Sequence, residues 1–85
     1  MPSDKIRENN LDLHGLTAQE AVSALYDFVR HCLLENYSKA VVIHGHGSGV
    51  LKNAVRSECA HISRIKSFRS GYPSEGGDAV TVLEL

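Results

Sequence analysis

The chain has 85 residues, 42% of them apolar and 22% charged, and a net charge of −1 when its histidines are neutral. That length holds one domain and excludes two, and the apolar content excludes the disordered class. The near-neutral balance excludes a protein that coats nucleic acid through overall charge, so any affinity for DNA or RNA must come from a local patch and weaken with salt.

Residues 1–9 read as a flexible, polar lead-in, with the folded domain over 10–85. The lead-in has the pattern of neither a signal peptide nor a membrane anchor. No window approaches the roughly 20 apolar residues of a membrane span. The expectation is a cytoplasmic protein without a membrane partner.

Leu11-Asp12-Leu13 alternates as a short strand does. Leu11 and Leu13 then share one face, Asp12 and His14 the other. Thr17-Ala18-Gln19-Glu20 is a capping box, and it opens a helix with Ala21, Leu25, Phe28, Val29, Cys32 and Leu33 on one apolar stripe. This helix should end near Glu35 or Asn36. From Lys39, the unbroken apolar run Ala40–Ile43 fits a central strand. His44-Gly45-His46-Gly47-Ser48-Gly49 is a glycine-rich turn. It leads into a second helix with Leu51, Ala54, Val55 and Cys59 on one face and Ser48 as the expected N-cap. Ile62–Phe68 reads as a third strand with Arg64 and Lys66 exposed, Ser70–Gly77 as a loop, and Val80–Leu85 as a final strand. Cys32 and Cys59 fall on apolar stripes and read as buried thiols.

The order β-α-β-α-β-β makes an α/β domain. Strand, His-Gly and helix occur twice, at Leu11–Gly15 and Val41–Gly45. A strand reached through a helix lies parallel to its predecessor, so both His-Gly pairs should leave the sheet at the same edge, where open α/β sheets place ligands. Both helices should cover one face and leave the other partly open.

Three sets of residues carry chemistry. Asp12 and His14 project from one side of a strand. An imidazole can move a proton near neutral pH and a nearby carboxylate can orient it. The pair could equally share a divalent metal, or His14 could simply bond to a backbone group. Gly45, Gly47 and Gly49 leave backbone amides unobstructed, and amides at a helix N-terminus attract phosphate. The spacing matches neither a Walker loop nor a dinucleotide fingerprint. The bland alternative is a tight connection that needs glycine only for geometry. Lys52, in the first turn of the second helix, could reach a bound phosphate, and Arg64, Lys66 and Arg69 could extend a basic strip. His31 and His61 read as surface residues. A three-histidine metal site from His14, His44 and His46 would need all three rings to converge.

Leu11-Asp12-Leu13-His14-Gly15-Leu16, Glu20-Ala21, Ile43-His44-Gly45-His46-Gly47-Ser48-Gly49-Val50-Leu51, Gly76-Gly77 and Thr81-Val82-Leu83-Glu84-Leu85 together resemble, in order, the motifs of the Smr (small MutS-related) domain. The resemblance covers residues 11–85. It implies a two-layer sandwich, a four-stranded mixed sheet with two helices on one face, like the C-terminal domain of translation initiation factor 3. It also implies an endonuclease that nicks DNA or cleaves RNA, in DNA repair and recombination or in RNA quality control. Asp12 and His14 match the family's catalytic signature. Gly45, Gly47 and Gly49 match the loop held to contact substrate. Gly15, His44, His46, Ser48, Lys52 and Arg69 are expected to join them in binding nucleic acid. DNA or RNA, MutS-like domains and the ribosome are the expected partners. No cofactor is expected, with a divalent metal required only if DNA is the substrate. The competing function is a non-catalytic module that binds nucleic acid or ribosomal and repair partners. The chain departs from the family at Gly76-Gly77-Asp78-Ala79, where Gly-Gly-x-Gly is usual; Ala79 in place of the third glycine should restrict the loop and Asp78 should repel a phosphate.

Overall fold

The computed structural model describes residues 6–85; the first five residues of the expected lead-in lie outside the described residues. Five strands and two helices follow in order: β1 (Ile6–Arg7), β2 (Asn10–Asp12), α1 (Ala18–Leu34), β3 (Lys39–Ile43), α2 (Val50–Cys59), β4 (Ser67–Ser70) and β5 (Val80–Glu84). The fold is the expected α/β class, with one strand more than expected. The extra strand, β1, pairs antiparallel with β2. Glu8, at φ 54°, turns the chain between them, and its carbonyl accepts from Nε2 of His31 on α1 at 3.2 Å.

The sheet order is β1-β2-β3-β5-β4. Strand β3 runs parallel to β2, as the intervening helix demands, and antiparallel to β5. Strand β4 closes the other edge, antiparallel to β5. The third strand begins five residues later than the sequence suggests. Ile62 and Ile65 imitate a strand run, but they belong to turns that leave α2: the Ile65 amide donates to the Ile62 carbonyl, and both side chains pack on the core. Arg64 and Lys66 therefore precede β4 and do not sit on it.

Helix α1 starts where its capping box places it. The Thr17 hydroxyl accepts from the Glu20 amide, and the Glu20 carboxylate accepts from the Thr17 amide. Its stripe Ala21, Ala24, Leu25, Phe28, Val29 and Cys32 is buried against Leu11, Leu13, Ala40, Val42 and Leu83 of the sheet segments and Val55 and Cys59 of α2. Every sheet residue in that group points to one face, so both helices cover the same side. Tyr26 of α1 donates its hydroxyl to Glu58 of α2 at 2.7 Å. Cys32 and Cys59 are free and buried; burial pushes both thiols up to about 11. Among the described residues, no helix is long and apolar enough to cross a membrane.

The opposite face is less open than the sequence suggests. Val80 and Val82 point away from the helices, yet Val82 is only 2% exposed. The segment between β4 and β5 folds back as two short 3₁₀ turns, Pro73–Glu75 and Gly77–Ala79. Gly71 lies so close to Val80 that a Cβ there would fall 2.4 Å from a valine methyl. Glu75 accepts from Lys39 of β3 at 3.0 Å and from Arg69 of β4 at 2.8 Å, so it bridges the strands on either side of β5.

These bonds, with the Tyr72 amide, hold the Glu75 carboxyl down to about 2, the Arg69 bond contributing most. A carboxylate with a lowered value stabilises the folded state above the ordinary carboxylate range, and that contribution is lost as pH falls through the lowered value. Glu75→Gln is therefore expected to leave thermal stability less dependent on pH between about 4.3 and 2. Melting curves of both proteins across that interval check it; parallel losses on acidification would contradict it.

Candidate functional site

The register places Asp12 opposite Ile43, and the Leu13 amide donates to the Ile43 carbonyl at 2.9 Å. His14-Gly15 and His44-Gly45 thus leave neighbouring parallel strands at the same edge. The loop 76–79 joins them from β5: the His44 and Gly45 amides both donate to the Ala79 carbonyl, at 3.1 and 2.9 Å.

Asp12 grips His14 at two points. One carboxylate oxygen accepts from the His14 amide at 3.1 Å, and the other meets Nδ1 at 2.9 Å. With the Nδ1 proton held by Asp12, the lone pair of the neutral ring belongs to Nε2. The His14 side chain is 81% exposed. A two-residue spacing on an extended segment thus yields an oriented imidazole at the surface, which is the geometry of a proton-transfer pair.

Gly15, Gly45, Gly47 and Gly49 all adopt positive φ, from 41° to 86°. Among the described residues, nothing lies within 4 Å of a Cβ added at Gly15, Gly45 or Gly47, and the left-handed backbone favours glycine there. Gly49, and not Ser48, caps α2: it sits at φ 86° with no side-chain bond to the helix, and its carbonyl accepts from Asn53. Ser48 and His46 are exposed on the loop.

His44 differs from the other loop residues. It is 8% exposed. Nδ1 donates to its neighbour's carbonyl on Gly45 at 2.9 Å, and Nε2 accepts from the Thr81 hydroxyl at 2.8 Å. The Gly45 carbonyl can only accept, so Nδ1 carries the proton of the neutral ring and the Thr81 hydroxyl donates to Nε2; Thr81 Oγ1 accepts in turn from Nε of Arg56 at 3.0 Å. Burial lowers the His44 value, and the Arg56 and Lys52 charges lower it further, while the Gly45 carbonyl and Asp78 act in the opposite sense. The ring is thus a neutral pillar beneath the glycine loop. Thr81→Val removes the donor and leaves a buried ring nitrogen unsatisfied, at a cost of about 1–3 kcal/mol. Denaturant unfolding of the variant checks this; an unchanged midpoint would contradict it.

The basic residues expected to bind phosphate have protein partners. Lys52 donates to Asp78 at 2.7 Å. Arg69 is bound by Glu75, and its guanidinium carbon lies 4.0 Å from the centre of the Tyr72 ring. Asp78 also accepts from Arg56 at 3.1 Å and from the Ser70 hydroxyl at 2.7 Å. So Asp78 does not stand as a bare negative charge beside the loop; Lys52 first, then Ser70 and Arg56, hold its carboxyl far below the usual range. Ala79 is not among the residues at positive φ, so alanine is accommodated where the family usually has glycine.

Sequence reasoning missed Arg56, Ser70 and Thr81. A signal for Arg56 existed, since it lies four residues after Lys52 and so shares its helix face. Ser70 and Thr81 become partners only through the β4–β5 register. Among the described residues, no group of three His, Cys, Asp or Glu is arranged to hold a metal.

Comparison with known proteins identifies the family. Residues 11–85 match the model of the Smr domain. The chain is 44% identical over 75 residues to the endonuclease MutS2 of Staphylococcus carnosus, covering 88% of this chain and 10% of that protein. It is 40% identical over 79 residues to the endonuclease MutS2 of Aquifex aeolicus, covering 93% of this chain and again 10% of the relative. The chain thus spans about a tenth of the length of the curated relatives it matches. Among solved structures, the Smr domain of Thermus thermophilus MutS2 superposes with a TM-score of 0.88 at 34% identity, covering 91% of this chain and 96% of that one. YdaL of Escherichia coli, a stand-alone small MutS-related protein, shares the fold with a TM-score of 0.87 at 16% identity, covering 94% of this chain and 66% of that one. With its two signature loops at one sheet edge and nearly its whole length matched, the chain belongs to the Smr domain family.

Proposed function

We propose that this domain is an endonuclease whose proton-transfer group is His14, oriented by Asp12. The observation that carries the reading is the double grip of Asp12 on an exposed imidazole. The names of the MutS2 relatives support it at the level of the family.

On RNA the chemistry is closed by the substrate itself. Nε2 of His14 takes the proton of the 2′-hydroxyl, the 2′-oxygen attacks phosphorus, the bond from phosphorus to the 5′-oxygen breaks, and that oxygen takes a proton from solvent. The products are a cyclic phosphate and a 5′-hydroxyl. On DNA the nucleophile is an external water, which is commonly activated by a divalent metal. Amides of His46, Gly47 and Ser48 and of the start of α2 hold the phosphate and stabilise its developing charge, while the Gly45 and Gly49 amides are spent on the Ala79 and His46 carbonyls and shape the loop. His46 and Ser48 are exposed on the same loop, and His44 supports the loop from beneath.

The experiment is incubation of the purified protein with single- and double-stranded DNA and RNA, with and without EDTA. Cleavage that ends in a cyclic phosphate and survives EDTA is the result expected on RNA. Loss of cleavage in EDTA would move the reading to metal-assisted hydrolysis. One observation favours a second reading, a binding module without catalysis: Lys52 and Arg69 are both neutralised by carboxylates, and the chain as a whole has a net charge of −1. Binding without cleavage on every substrate would establish that module, docked on nucleic acid or on ribosomal or repair partners.

A further inference from the structure

Asp78 stands at the meeting point of three donors from two elements. Lys52 and Arg56 come from successive turns of α2, and Ser70 from the end of β4. Two cations and a hydroxyl converging on one small anion is the donor set that recognises a phosphate group. The arrangement is held from behind, since Arg56 also donates through Nε to buried Thr81. It adjoins the glycine loop, because the turn Gly77–Ala79 that carries Asp78 accepts the His44 and Gly45 amides on the Ala79 carbonyl.

We infer that Lys52, Arg56 and Ser70 form a second phosphate subsite of the nucleic-acid surface, and that the Asp78 carboxylate fills it until a backbone phosphate displaces it. The inference rests on the proposed binding of nucleic acid at this edge, though not on cleavage. The site is open enough for exchange: the Lys52, Arg56 and Asp78 side chains are 26%, 27% and 48% exposed. A phosphate offers the same three donors at least as much negative charge as the carboxylate does, so displacing Asp78 exchanges one set of charge-assisted bonds for another. The turn that carries it is short and starts at Gly76 and Gly77, both at positive φ. A strand of nucleic acid with one phosphate at the Gly45–Gly49 loop would present a neighbouring phosphate to this triad. Asp78 then acts as an internal competitor that sets how tightly and how salt-sensitively the domain binds.

The test is Asp78→Asn, with Asp27→Asn as control. Asp27 lies on α1 beside Arg30, so it changes net charge equally without touching the triad. Binding of a fluorescent single-stranded oligonucleotide is measured by anisotropy over a series of salt concentrations. Asp78→Asn is expected to tighten binding about tenfold at low salt, a free-energy gain of about 1.4 kcal/mol. The dependence of log affinity on log salt should steepen by about one to two, as Lys52 and Arg56 become available to phosphates. Asp27→Asn should change affinity less than twofold. Equal effects of the two substitutions, or a folded Asp78→Asn with unchanged or weaker binding, would overturn the inference. Lys52→Gln in the otherwise natural chain supplies a second arm that does not depend on the Asp78 variant folding. It is expected to weaken binding severalfold and flatten the salt dependence by about one; unchanged binding there would also overturn it. Tighter binding by Asp78→Asn with no cleavage in any variant would sink the endonuclease reading and leave this one standing.

Discussion

His14→Ala is expected to lower the rate of strand cleavage by about 10²–10⁴-fold, the range that a positioned proton-transfer group supplies. Affinity for the same oligonucleotide should change little, because the phosphate is held by the glycine loop and the start of α2. Asp12→Ala should cause a smaller loss, since the imidazole survives but its ring loses both the orienting carboxylate and the fixed tautomer. Single-turnover rates and anisotropy on the same preparations separate the two effects. Cleavage undiminished in His14→Ala would assign the activity to a contaminant or to another group. Equal losses of binding and rate would make His14 a contact residue and remove it from the chemistry.

The largest expected effect on stability is at Phe28, which is fully buried and the largest side chain so placed among the described residues. Phe28→Ala removes the largest ring from the buried cluster that α1 shares with the sheet and α2. Such truncations cost about 3–5 kcal/mol, against a total of about 5–15 kcal/mol for an ordinary domain. The midpoint of thermal unfolding should therefore fall by roughly 12 °C or more. A fall of under about 5 °C would mean that the core rearranges to fill the space, or that α1 is not fixed by this ring. Because the site is assembled from strand ends under α1 and α2, the loss should also loosen the Asp12–His14 pair at physiological temperature.

Much of the fold was legible because its local and global signals agree. The capping box at Thr17 and Glu20 opens α1 at the expected residue, and the apolar stripe from Ala21 to Cys32 is the buried one. The pairing of the two His-Gly segments at one edge followed from a single rule about strands joined by a helix. The β1–β2 hairpin was not legible, because two-residue strands carry no periodicity. Ile62 and Ile65 misled for the opposite reason: spacing that suits a strand also suits two successive turns seated on a core. Ser48 has the chemistry of an N-cap, but the left-handed backbone at the start of α2 selects Gly49.

The candidate site was legible in its sequence-local parts and hidden in its long-range ones. Asp12 and His14 sit two residues apart, so the strand alone brings them together. The Lys52-Arg56-Ser70-Asp78 cluster and the His44-Thr81 bond draw on positions up to 37 residues apart, and only the sheet register joins them. Charge was the least reliable guide. Lys52 and Arg69 read as free cations from the sequence, and each is held by a carboxylate that no local pattern connects to it.

The central claim is that nucleic acid meets the domain at the edge where β2 and β3 end. Amide chemical shifts of the isotope-labelled domain, followed during titration with a short single-stranded oligonucleotide, test it most directly. The largest changes are expected on His14, Gly15, Gly45, Gly47 and Gly49. Saturating changes confined to the exposed side of α1 or to the β1–β2 hairpin, with those five signals still, would contradict it.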